Sequence, residues 1–411
     1  MGEFNRISSL QIIFVNQNIN IMNLLMACDD YIYSSHGHIY AANQEKFDFY
    51  QRYLRIFDKL RLVCRCQEET DIKIGRVDFL VDKRIEVVPI PMFHGPVQYA
   101  KVYFSVGRAI SRITDGCDVA ILRIPSTIAL RVGKLVMRSG MPYACEVVYD
   151  AEDAWHNYKG ISRLVWKLID KQMRLLSSRA DGVSCVTESY LQQHYFSIKK
   201  NSFVEHYSSL ALDKSFYGCP KKYPQGKSIT IAHISNQIGE QSAKGHMQTI
   251  KAICLLKKRG IKVKVKFAGN DYFGGIDKYK KYAKEIGVTE NVEFVGYLDR
   301  NRVDTFLSDS DIYVMPTKAE GLPRVIIEAM AKGLPCITTP VSGNPELIDE
   351  HFLVDYYDVK TLADRIEELI NDSALYESTS YENFERSWKY EASVLENRRD
   401  RFYKKLKERC L

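Results

Sequence analysis

The sequence predicts an α/β protein of two parallel-sheet domains facing each other across a cleft. Short apolar, β-branched runs alternate with helical patterns along the chain, the mark of strand–helix–strand units. Residues 218–226, punctuated by glycine and proline and without apolar periodicity, divide the strands into two sets. The 411 residues are enough for two domains that each bury a core.

The elements follow in order. Residues 1–21, opening on Met1-Gly2-Glu3-Phe4, read as a cloning scar or an extended start, with Met22 a natural initiator; an edge strand over 8–21 is the alternative. First-half strands are expected at 24–28, 62–66, 85–90, 119–124, 143–149 and 183–186. Second-half strands are expected at 229–234, 263–268, 292–295, 312–315 and 336–338. The domains are therefore set at 22–217 and 227–385, with 218–226 as linker and 386–411 as a separate terminal piece.

Composition narrows the class. With 45% hydrophobic and 27% charged residues the chain is globular, not disordered. No apolar run approaches the roughly 20 residues of a membrane span, and the opening segment has no secretory pattern. Ten cysteines, mostly isolated in strand-like runs, fit small buried hydrophobes in a reducing compartment, so a cytoplasmic location is expected. Cys64 and Cys66 fall on one face of a strand, and no second Cys/His pair completes a zinc set.

Charge is uneven. Residues 1–222 carry 29 Lys and Arg against 23 acids, whereas 223–385 carry 20 against 24. A basic first domain suits an anionic membrane surface. The segment 159–179 mixes Arg163, Lys167 and Lys171 with Leu164, Trp166 and Leu168. It reads either as a helix lying on a membrane or as a surface helix with its stripe in the core. No nucleic-acid module accompanies the charge, and nucleic acid is not an expected partner.

The chemistry concentrates in residues 316–335. A turn, Glu320-Gly321-Leu322, follows the strand at 312–315, and Pro323 suits the first turn of a helix running to Lys332 that Gly333 stops. Backbone N–H groups at such a helix start hold an anion such as a diphosphate, and Gly321 permits close approach. Glu320 stands beside a sugar on that diphosphate. Glu328, leaning back along the helix, reaches the ribose hydroxyls. Facing water and complementing the helix dipole is the plain alternative for both acids.

On these residues the segment 229–350 resembles the donor half of family-four retaining glycosyltransferases with the GT-B fold, two Rossmann-like domains across a cleft. Further matching pieces are Ala243-Lys244-Gly245-His246, residues 291–296, Ser310-Asp311-Ile312 and Gly343-Asn344-Pro345-Glu346. The resemblance implies a nucleotide-sugar substrate with UDP or GDP, Lys244 on the diphosphate, and Gly296, Tyr297 and Leu298 along the base. It implies retention of configuration, no required metal or cofactor, and a terminal helix crossing back to the first domain. The acceptor is expected to be a glycan or lipid-linked glycan of surface polysaccharide assembly. Where the family carries an arginine after the first donor-domain strand, this chain has Asn236 and Gln237. In the first domain Asp153 is a candidate general base, with Trp155, His36, Gly37 and Arg123 as candidates for the acceptor side. A catalytically weak partner subunit and, below it, a sugar-nucleotide epimerase are the alternatives. Asp309-Ser310-Asp311 precedes its strand and is expected at the sheet end away from the ligand.

Overall fold

The structure, a computed structural model, describes residues 21–157, 159–210, 212–239, 243–271 and 274–410. Apart from Ile21, the start segment lies outside the described residues, as does any strand over 8–20.

The first domain carries strands β1 (Asn23–Ser35), β2 (His38–Ala41), β3 (Lys59–Glu68), β4 (Val77–Asp78), β5 (Ile85–Pro91), β6 (Val119–Ile124), β7 (Tyr143–Val147), β8 (Gly182–Cys185) and β9 (Phe203–His206). Seven form a parallel sheet in the order β5-β3-β1-β6-β7-β8-β9. The second domain carries β10 (Ile229–Gln237), β11 (Val263–Asn270), β12 (Val292–Gly296), β13 (Ile312–Met315) and β14 (Cys336–Thr338), all parallel, in the order β12-β11-β10-β13-β14. Helices cover both faces, so central strands such as β13 are buried at every residue. That is why they read as unbroken apolar runs.

The first strand departs from expectation. It continues past Cys28, its pairing with β3 shifts between Ala27 and Tyr31, and it turns back into β2. His36 and Gly37, expected to face the cleft, form the exposed tip of that hairpin at φ 48° and 82°. Left-handed backbone at both central positions is what a two-residue hairpin turn requires, so Gly37 serves the turn. The edge strand β9 escaped the sequence reading because only four residues long, with Glu205 and His206 half-buried, it has no apolar run.

Arg123 is also corrected. Parallel pairing sets Arg123 directly beside Glu146 on the neighbouring strand, and the guanidinium donates to that carboxylate at 2.9 Å. Glu146 further accepts the hydroxyls of Tyr53, Tyr207 and Tyr403 at 3.0, 2.9 and 2.7 Å. Burial alone would push this carboxyl up; Arg52, Arg123 and the hydroxyls outweigh it and hold it at about 2. Tyr403 belongs to the terminal helix Ala392–Lys407, which thereby anchors in the first domain. Phe402 reinforces the contact, its ring 5.1 Å from Phe203.

The helix Gly160–Arg179 buries Met173 and Leu176 yet exposes Ile161, Leu164, Leu168 and Leu175. The segment is therefore a surface helix with one apolar stripe in the core and a second facing outward. Among the described residues, no helix is long and apolar enough to cross a membrane.

Candidate functional site

Where β10, β11 and β13 end, the two domains enclose a cavity of about 760 Å³. This is the end of a parallel sheet at which ligands bind. The second domain supplies Lys244, Glu320, Gly321, Leu322 and Glu328, with Tyr297 and Leu298 along another wall. The first domain closes it with Glu45, Val148, Tyr149 and Leu210. Seven of the thirteen candidate residues thus line one space, and Gly296 (φ 76°) starts the turn that delivers Tyr297.

Backbone and hydroxyl hydrogen bonds hold the loops. Lys318 N–H and Thr317 Oγ1 donate to the Ala243 carbonyl at 2.8 and 3.1 Å, locking the lysine loop to the glutamate loop. Gly245 sits at φ 73°, and a Cβ there would fall 1.8 Å from the Pro316 carbonyl oxygen. Only glycine fits that approach. Lys244 Nζ, so delivered, pairs with Glu320 Oε1.

Glu320 is 8% exposed. Among the described residues, the N–H groups of Glu320, Gly321 and Leu322 donate to no backbone or side-chain acceptor. The Gly321 carbonyl points the other way, accepting Ser342 Oγ and Gly343 N–H, each at 3.0 Å. A Cβ on Gly321 would meet the Val148 carbonyl oxygen at 2.4 Å, so this glycine also lets the domains close. The helix begins at Arg324, one residue later than expected, with Pro323 as its cap. Three amides and a positive helix end make an anion site.

Burial pushes the Glu328 carboxyl up, opposed by Arg324 and Arg300. Those arginines also line the cavity and were missed in the sequence, since neither stands where the family's arginine is expected. Glu346 was missed as well. It accepts the N–H groups of Glu188, Ser189 and Tyr190 at 2.5, 2.9 and 2.8 Å, a carboxylate of one domain fastened on amides of the other.

Asp153 and Trp155 are not among the cavity-lining residues. They lie on the helix Ala151–Asn157, which starts two residues beyond Tyr149. Burial first, then the charge of Asp150, raises the Asp153 carboxyl to about 7. The Trp155 ring stacks on His156 at 3.6 Å and lies under Lys167 Nζ at 4.7 Å. Asp311 accepts the Thr230 N–H at 2.7 Å at the start of β13, at the opposite end of the sheet from the cavity.

The family model for glycosyl transferases group 1 matches residues 233–386. Protein CapJ of Staphylococcus aureus is 25% identical over 352 residues, 85% of this chain and 84% of that protein. The capsular polysaccharide biosynthesis glycosyltransferase CapM of the same species is 29% identical over 147 residues, 35% of this chain and 38% of CapM. HepE of Anabaena, solved with UDP and glucose, superposes with a TM-score of 0.62 at 16% identity, over 92% of this chain and 97% of that one. The shared architecture is the GT-B fold.

Proposed function

We propose that this chain, whose second domain is that of a group 1 glycosyl transferase, moves a sugar from a UDP- or GDP-sugar to a glycan or lipid-linked glycan acceptor, with retention of configuration. The observation that carries the reading is the convergence of Lys244, Glu320, the amides of 320–322 and Glu328 on one cavity of about 760 Å³.

In this reading the diphosphate sits on the free amides and the helix end. Lys244 turns from Glu320 to the phosphate, so positive charge meets the negative charge that grows as the diphosphate departs. Released from Lys244, Glu320 accepts donor-sugar hydroxyls. Glu328, half-buried in the cavity wall, accepts ribose hydroxyls. Arg300 and Arg324 supply the second cation that Asn236 and Gln237 do not. The base packs along Tyr297 and Leu298. Asp153, its carboxyl held at about 7, stands outside this cavity on the helix after Tyr149, and serves as the acceptor's base only where the acceptor hydroxyl comes within its hydrogen-bond reach. The chemistry so assigned needs no metal.

The acceptor class rests on the basic first domain and on the similarity to CapM, a capsular polysaccharide biosynthesis glycosyltransferase; the work proposed is on the cytoplasmic face of a membrane. UDP- and GDP-sugars incubated with the protein and a bacterial lipid extract should yield one glycosylated lipid or glycan product. Glu320→Ala should lower the rate of its formation by roughly 10²–10³. Turnover of no donor, with nucleotide binding retained, would make the chain a non-catalytic partner instead.

A further inference from the structure

A second and larger hollow, about 1000 Å³, lies in the first domain between the helices Gly95–Ala109, Thr127–Ser139 and Gly160–Arg179. Its walls are mostly apolar, with Tyr103, Ile110, Leu130, Leu135, Trp166 and Leu168 among them. Arg131, Lys134 and Arg138 line it too, and their spacing puts them on one face of one helix. Among the described residues, none of the three is ion-paired with a carboxylate, the hydrogen bonds of Arg131 going to Tyr99 and Tyr103. Arg131 is held in place by the Tyr103 carbonyl at 2.7 Å. Apolar walls beside an uncompensated row of cations match an amphiphile with an anionic head, and do not match an apolar or acidic-free protein helix.

The hollow also leads somewhere. Its inner end reaches Asp29, in the bulge where the β1–β3 register shifts, and Pro125, Ser126 and Thr127 just past the end of β6, the end of a parallel strand at which ligands bind. Trp166 in its wall has its ring 6.1 Å from Tyr149, which lines the 760 Å³ cavity. Outward, Ile161 and Leu164 continue the apolar surface, 77% and 62% exposed.

We propose that this groove seats the hydrocarbon chain of a membrane lipid that carries the acceptor sugar through a phosphate, with the phosphate held by Arg131, Lys134 and Arg138. The proposal rests on the donor-site reading above, because it makes the groove the approach to that cavity. A bilayer lipid entering along the exposed flank of Gly160–Arg179 would present its sugar near Tyr149.

The test uses farnesyl phosphate as probe, with inorganic phosphate and farnesol as its two halves, read by the fluorescence of Trp166 and checked against Trp166→Phe. Farnesyl phosphate should bind at least about tenfold more tightly than either half, since apolar burial and ion pairing add. Lys134→Glu with Arg138→Glu, and separately Leu168→Glu, should each weaken it by about tenfold or more. All three are exposed positions, and the thermal shift produced by UDP should be unchanged in both variants. Absence of farnesyl phosphate binding, equal affinity in wild type and variants, or saturation by inorganic phosphate alone overturns the proposal. Loss of the UDP shift in wild type would instead strike the donor-site reading and leave the lipid result to be judged by itself.

Discussion

In the first domain Arg52 and Arg123 close on Glu146, three tyrosine hydroxyls complete its shell, and nothing of that charge is left for a ligand. In the second domain Lys244, Arg300 and Arg324 line an open cavity; Gly245 and backbone hydrogen bonds fix the loop that carries Lys244, and each arginine opens a helix. The difference separates two uses of buried charge. A carboxylate saturated by neighbours is architecture, whereas charges that line an open cavity can exchange a present partner, as Lys244 can exchange Glu320, for a substrate.

The sharpest way to break that distinction is Glu146→Ala. It strands two guanidinium groups and should cost about 3–5 kcal/mol of stability, measured by urea unfolding. The same carboxyl sets the acid limb. Because the fold holds it at about 2, below the ordinary 4.5, its contribution is present above pH 4.5 and fades as pH falls toward 2. Glu146→Gln should flatten stability across that window. Next in size come Lys244→Ala and Glu320→Ala. Each should lower transfer by roughly 10²–10³, the scale of a lost oxyanion donor, with the unfolding midpoint nearly unmoved.

Gly245→Ala crosses the boundary between the two uses. Its φ of 73° and the Pro316 carbonyl oppose a Cβ, so a loss on the order of 1–3 kcal/mol is expected, together with weaker nucleotide binding. The last effect, opposite in sign, belongs to Asp153. Its carboxyl is held at about 7, above the ordinary 3.8, so the fold loses stability as pH rises from about 4 to 7. Asp153→Asn should therefore raise the melting temperature at pH 8 relative to wild type. If Asp153 is the acceptor base, the same variant also loses the rise of transfer rate through pH 7. A more stable variant with an unchanged rate profile would leave Asp153 as a purely electrostatic neighbour.

What the sequence made legible follows the same division. The residues that converge on the 760 Å³ cavity could be read because one contiguous segment, 316–335, holds the turn after the strand, the helix start and both glutamates. Local spacing then fixes geometry. The bounds of β6, β13 and β14 match those the sequence predicts, because burial on both faces leaves mostly apolar runs with sharp ends. The first domain resisted for physical reasons. Whether Arg123 meets a ligand or Glu146 depends on the register between β6 and β7, which no local pattern reveals. His36 and Gly37 look like a strand-end loop until β1 is known to continue and turn back. Arg300 and Arg324 reach one cavity from separate segments, and the groove is assembled by three helices whose packing is long-range.

The most direct test of the account is the thermal shift produced by UDP and, separately, GDP on wild type and Lys244→Ala. A nucleotide at about 100 times its dissociation constant should stabilise the wild type by about 2.7 kcal/mol, and Lys244→Ala should lose most of that shift at the same concentration. Equal stabilisation of both proteins, or of neither, would contradict the assignment of the cavity around Lys244 and Glu320 as the nucleotide-sugar site.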